Sequence, residues 1–157
     1  MKLTRGADYA LRIMIHMAGL PDGQRVGRSA IAVVTEVPPA YLAKILQHLV
    51  KARLIRSRPG VHGGFELSRS PMTLSMLEVI EAVDGPSAMA SCLADENACD
   101  RSPFFMVRPA LVEAQNEMLR VLQAKTIAKL TRPRQFETRV ASMAVHQELT
   151  LAATTAH

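Results

Sequence analysis

The stretch SAIAVVTEVPPAYLAKILQHLVKARLIRSRPGVHGGFELS, residues 29–68, decides how the chain folds. Pro38-Pro39 forces a turn in its first half, and Pro39 suits the opening position of a helix, where a missing N–H is harmless. From there Leu42, Ile45, Leu46, Leu49 and Val50 recur at spacings of three and four, the period of a helix with one buried face. Ala40, Tyr41, Lys44, Gln47, His48 and Lys51 are left for its other faces. Upstream, Ser29 can cap a short helix to Glu36 with Ala30, Ile31 and Val34 inward, although its valines also permit a strand. Two short helices about a tight turn form a helix-turn-helix. Leu54 to Arg58 then alternates apolar and polar, Pro59 to Gly64 turns, and Phe65 to Ser68 returns as the second strand of a hairpin. A basic two-stranded ribbon directly after a helix-turn-helix is a wing.

On the N-terminal side, Thr4 can cap a helix running to Gly19, with Ala7, Ala10, Leu11, Met14, Met17 and Ala18 on one stripe. Pro21-Asp22-Gly23 follows as turn chemistry. On the C-terminal side, a helix is expected from Thr73 to Asp84, with Leu74, Leu77, Ile80 and Val83 inside and Gly85-Pro86 closing it. Ser87 to Pro103 has no period and holds both cysteines, Cys92 and Cys99. Phe104 to Lys125 is the longest helical pattern, with Leu111, Ala114, Met118, Val121 and Leu122 on one side and Pro109 near its start. That face exceeds what one small wing covers, and pairing with a second copy would bury it. The expected fold is mainly α with a small β wing, a winged helix-turn-helix plus a long dimerisation helix. Residues 1–70 are expected to form the winged helix-turn-helix domain, 71–131 a loop and dimerisation-helix region, and 132–157 a tail.

At 157 residues, 48% hydrophobic and 21% charged, the chain has the balance of one ordinary globular domain. No apolar run reaches the roughly 18–20 residues of a membrane span. The opening MKLTRGADYALRIM carries acid and base inside its apolar stretch, unlike a secretory leader, so a cytoplasmic protein is expected. Trp is absent and Met reaches nine, so the core must be aliphatic, with Met76 and Met89 among its fillers. The net charge of +5 is uneven. Residues 1–70 hold eleven Lys/Arg against four Asp/Glu, residues 71–125 four against eight, and residues 126–157 four against two. A basic first half beside an acidic middle suits a nucleic-acid-binding module joined to a regulatory one. No phosphate loop, nucleophile elbow or paired catalytic acids appears, so an enzyme is not expected.

The candidate reader of DNA is the helix after Pro39. Lys44, Gln47 and Lys51 share one face; Lys can meet guanine acceptors or phosphates, Gln can pair with adenine, and Tyr41 offers a hydroxyl to a phosphate. In the wing, Arg56, Arg58 and His62 surround Gly60, Gly63 and Gly64, which let the backbone approach a phosphate closely. An Arg at such a tip can enter a narrow minor groove. Ser29 and Pro39, at the starts of the two helices, complete the DNA-binding set. A charged face opposite an apolar stripe is ordinary on any helix; the basic hairpin behind it tips the reading toward DNA.

Leu3-Thr4 leading into Asp8-Tyr9-Ala10-Leu11, Pro38 to Leu46, the loop Gly60-Val61-His62-Gly63-Gly64-Phe65-Glu66-Leu67, Leu74 to Gly85, and Cys92 and Cys99 ahead of a long helix ending in Thr126-Ile127-Ala128-Lys129-Leu130 together resemble the IscR/NsrR-type family of winged-helix regulators. The resemblance covers residues 1 to about 131. It implies a homodimeric, DNA-binding transcription factor, here read as a repressor, in a family where an iron–sulfur or redox sensor switches DNA affinity. The family's cluster pattern has three cysteines before the dimerisation helix. Cys92 and Cys99 match the first two, and Phe105 stands at the third. Asp8 occupies the place of an acidic iron ligand contributed by the other subunit, while Arg12 stands where a second first-helix ligand would be. The implied metal set is therefore Cys92, Cys99 and Asp8, holding a [2Fe-2S] or [4Fe-4S] cluster, with Asp95, Glu96 or Asp100 as a further oxygen donor. A thiol switch between the two cysteines, or no cofactor at all, are the alternatives. Arg53 stands where the family turns with Gly, and Pro59 where it has Arg, a role shifted to Arg58. The switching scheme couples loop 87–105 to the recognition helix through Asp8. His16 and His48 read as packed or surface residues. From another class, the alternative function is a protein- or small-molecule-interaction module with a vestigial wing.

Overall fold

The computed structural model describes residues 3–60, 63–89, 93 and 106–131. Thr4 caps α1 (Arg5–Ala18), its side chain accepting from the Ala7 N–H at 3.1 Å. The expected stripe is buried through Met17, but Ile13 and His16 are buried as well. A wider buried arc follows from position: α1 is the central helix, packed by elements from both halves of the chain.

Two expectations for α2 (Arg28–Thr35) fail. Ser29 lies inside the helix rather than capping it, because the Gly27 carbonyl already accepts the Ile31 N–H at 3.1 Å. Ala30 is exposed, and Thr35 is buried in its stead, its hydroxyl donating to the Ile31 carbonyl at 2.6 Å. Glu36 takes a left-handed φ of 56°, and the chain bends by 112° into α3 (Pro39–Lys51). That is the angle range of a helix-turn-helix. Pro39 opens α3 as expected, and Leu42, Ile45, Leu46 and Leu49 are buried.

The end of α3 shows how Arg53 replaces a glycine. Ala52 caps the helix and Arg53 adopts φ 58°. The Arg53 N–H donates to the Val50 carbonyl at 2.9 Å and the Leu54 N–H to the Leu49 carbonyl at 3.0 Å. These two bonds are a Schellman turn, with buried Leu54 as its apolar clasp.

The wing pairs β1 (Ile55–Arg58) antiparallel with β2 (Gly64–Leu67), in the register Ile55↔Leu67, Arg56↔Glu66, Ser57↔Phe65, Arg58↔Gly64. Leu54 and Ile55 are both buried and Arg56, Ser57 and Arg58 are all exposed, so the expected inward-outward alternation does not appear in β1. Val26 bridges Phe65 from the other side, exchanging both backbone bonds at 3.0 and 2.9 Å. β2 is therefore flanked on two sides.

α4 (Met76–Asp84) begins three residues after the expected Thr73. Ser75 and Glu78 form a capping box there: the Ser75 N–H donates to Glu78 Oε2 at 2.8 Å and the Glu78 N–H to Ser75 Oγ at 3.2 Å. Leu74 is buried ahead of the helix, and Val79 joins Ile80 inside, while Leu77 and Val83 are half-buried.

α5 (Arg108–Ala124) takes its first turn at Pro109, as that residue's place near the start of the pattern allows, and contains no buried residue. Ala114 and Val121, expected inside, are exposed. α5 packs on α4, and the chain returns through Met76 N–H to Lys125 O at 2.8 Å and Ile127 N–H to Leu74 O at 2.8 Å. The short α6 (Ile127–Leu130) sets a fully buried Ile127 against α1. The core is aliphatic with Met14 and Met17, whereas Met76 is half-buried and Met89 is exposed. The expected tail 132–157, the cysteines, Phe105 and His62 lie outside the described residues. Among those described, no single helix is long and apolar enough to cross a membrane.

Candidate nucleic-acid interface

The apolar period of α3 turns Leu42, Ile45, Leu46 and Leu49 into the core, and the same geometry leaves Tyr41, Lys44, Gln47 and Lys51 exposed. Between α3 and the wing lies a groove of about 640 Å³, with Gln47, Lys51, Arg28 and Arg58 on its walls and Phe65 among its apolar lining. Three cations and an amide converge there from three elements. Arg28 was not among the residues singled out by sequence; it opens α2, and only the helix-turn-helix angle brings it across from Lys51. Ser29, inside the first turn of α2, and Pro39, which opens α3, are exposed and do not line this groove. Lys44 and Tyr41 continue the exposed face of α3 beyond it.

At the wing tip the glycines answer backbone needs. Gly64 has φ 141°, and a Cβ there would stand 2.8 Å from the Val26 carbonyl oxygen. A Cβ on Gly63 would overlap the Arg58 carbonyl oxygen. Gly60, at φ 105°, has open space around it and serves the turn alone.

The outer face of the wing gathers charge around one carboxylate. Register puts Arg56 directly across from Glu66, and Arg58 lies two residues along the same face. Arg25 reaches Glu66 from the Val26 side. Arg56 Nε stands 2.8 Å from Glu66 Oε1, Arg58 Nε 3.6 Å from the same oxygen, and Arg25 Nε 3.4 Å from Oε2. Glu66 is only 4% exposed beneath these side chains. Burial alone would raise its carboxyl, but the Arg56 and Arg25 guanidiniums hold it below the ordinary carboxylate range. The hairpin register could have paired Glu66 with Arg56; the long-range bridge that brings in Arg25 has no local signal.

Tyr41 is tied backward to α1. Its ring meets Tyr9 edge-to-face, centroids 6.0 Å apart, and the Arg12 guanidinium lies 5.8 Å from the Tyr9 ring centre. Arg12 in turn pairs with Asp8 at 2.7 Å. His48 places Nδ1 at 3.2 Å from the Ala82 carbonyl, joining α3 to α4. His16 is buried in α1, and burial lowers its pKa.

These contacts bear on an iron–sulfur cluster. Such clusters take four protein ligands, mostly thiolates. The whole chain has two cysteines, and Phe105 has no donor atom. Asp8 is held by a cation one turn along the same helix, and Arg12 has no lone pair to offer iron. Among the described residues, no group of three or more His, Cys, Asp or Glu side chains could hold a metal ion, and both cysteines lie outside them.

Residues 3–133 match the family profile described as Rrf2, iron-dependent transcriptional regulator. The HTH-type transcriptional regulator NsrR of Geobacillus kaustophilus is 30% identical over 135 residues, covering 85% of this chain and 92% of that protein. Two HTH-type regulator sequences of Mycobacterium tuberculosis are 36% identical over 88 residues, and the match spans only 55% of their length. Among solved structures, CymR, the global cysteine regulator of B. subtilis, superposes with a TM-score of 0.61 at 26% identity, over 83% of this chain and 95% of that one. IscR of T. potens gives a TM-score of 0.64 at 20% identity, over 83% and 85%, a likeness of fold. The winged-helix architecture and the match over residues 3–133 place the chain in the Rrf2 family of transcriptional regulators.

Proposed function

We propose that this protein is a DNA-binding repressor of transcription that works as a homodimer. The observation behind this reading is the groove between α3 and the wing, where Arg28, Gln47, Lys51 and Arg58 converge. In this reading α3 enters the major groove. Lys44, Gln47 and Lys51 face base edges and phosphates, and the Tyr41 hydroxyl donates to a phosphate. Arg56, Arg58 and His62 grip the backbone from a wing whose Gly60, Gly63 and Gly64 bring it close, and Ser29 in the first turn of α2 and Pro39 at the head of α3 rest against the strand. Residues 1–70 act as the DNA-binding unit and 71–131 as the pairing and sensing unit. Every subunit contributes one recognition helix, so half-sites lie about one helical turn, roughly 34 Å, apart.

The signal enters at the loop bearing Cys92 and Cys99. Asp8 acts as the partner of Arg12 on α1 rather than as an iron ligand, which the 2.7 Å pair supports. The test of the main reading is a salt titration of binding to duplex DNA, with operators selected from a random pool. A regulator neutralising several phosphates loses affinity steeply, the logarithm of the binding constant falling by about 0.9 per phosphate with the logarithm of salt. Binding that is weak and flat with salt would favour the interaction-module alternative.

A further inference from the structure

Glu66 was absent from the DNA-binding set, yet it lies at the centre of the wing's charge. β2 is the middle of three backbone segments, so a carboxylate on its outer face has neighbours on both sides. Arg56 and Arg58 come from β1, Arg25 from the segment at Val26, and each makes its closest approach through Nε. The three arginine side chains remain 39–58% exposed, whereas the carboxylate is 5% exposed. Arg56 and Arg58, held at Nε, keep terminal N–H groups for a second acceptor. Arg58 belongs both to this cluster and to the groove beside α3.

We infer that Glu66 is a positioning residue that aims Arg25, Arg56 and Arg58 as one unit and withholds one positive charge from the duplex. The inference rests on the DNA-binding reading above. Three guanidiniums against one buried carboxylate leave a net charge of two on that face. Long-range, sequence-independent attraction is set by that net charge, and the geometry of a specific complex by the aim of the arginines. A buried carboxylate that does both restrains non-specific binding without removing a phosphate contact.

The experiment measures binding of the full chain to a random-sequence duplex by fluorescence anisotropy across a salt series, for wild type, Glu66→Gln and Glu66→Asp. For Glu66→Gln the slope of log affinity against log salt should steepen by about one, and affinity at physiological salt should rise about five-fold, the effect of one further counterion released. Glu66→Asp keeps the charge and should keep the wild-type slope. Thermal unfolding monitors each variant. Should Gln fail to fold, Glu66→Met removes the charge while covering the aliphatic arginine stems, and the same steepening is expected. A wild type that binds with a steep slope while neutral variants match it in slope and affinity would overturn the inference and leave the DNA-binding reading standing. A folded wild type that ignores duplex DNA in dilute buffer overturns the reading itself.

Discussion

Arg53 is held at φ 58° because the two Schellman bonds behind α3 leave the chain no other path. A side chain in that region is strained, whereas glycine is not, although glycine also frees the unfolded chain. Arg53→Gly is therefore expected to stabilise the protein by about 0.5–1 kcal/mol in urea unfolding. No gain there would mean that contacts of the arginine offset the strain. Asp8 gives a contrasting case. Its pair with Arg12 is half-exposed on both sides, and Asp8 also stands in the first turn of α1, where a carboxylate suits the helix dipole. Asp8→Ala should cost only about 0.5–1 kcal/mol. It should leave the iron and sulfide content of anaerobically purified protein unchanged. Loss of iron on that single change would restore Asp8 as a ligand.

At the scale of elements, α4 is fixed by its capping box more than by its apolar period. Burial would raise the Glu78 carboxyl, but the Ser75 N–H and hydroxyl and the Arg69 guanidinium hold it below its usual range. A lowered folded-state pKa means that this contribution is complete above the ordinary carboxylate pKa of about 4.3 and fades as pH falls beneath it. Glu78→Gln should lower stability at neutral pH by about 1 kcal/mol and flatten the acid limb of stability against pH, measured by thermal melts. The motif Ser75-x-x-Glu78 was visible in the sequence, and it locates the start of α4 better than the turn-like Thr73 did. Elements whose signals are local were legible: the Thr4 cap of α1, Pro39 at the head of α3, and the glycines of the wing turn. The start of α2 was not, because Gly27 offers no side chain to mark it, and Ser29 imitates a cap two positions too late. Glu66 and Arg25 escaped for a different reason. Their meeting depends on the Val26–Phe65 bridge, a pairing between residues 39 apart in the chain that no local period encodes.

For the whole molecule, the question is what covers α5. Leu111, Ala114, Met118 and Val121 follow one another at spacings of three and four along its length, the seam of a coiled coil. The other apolar side of the helix turns Leu122 toward the core, yet none of the seventeen residues is buried within the subunit, and Val121 is 46% exposed. A soluble monomer gains nothing by leaving such a seam open, whereas a second copy laid along it would bury Ala114 and Val121 together. The homodimer reading then makes two linked demands. Val121→Glu places a charge in the seam and should shift the protein from dimer to monomer in sedimentation velocity without unfolding it, since the residue touches no core. DNA affinity should fall with it, because each subunit alone holds one recognition helix and its partner no longer binds as an intramolecular second step. In wild type, inserting half a helical turn between selected half-sites should weaken binding comparably, since it rotates the second site to the far side of the duplex. A Val121→Glu protein that remains dimeric would move the pairing surface away from α5. A monomeric wild type with undiminished operator affinity would remove the need for pairing, and with it the spacing rule.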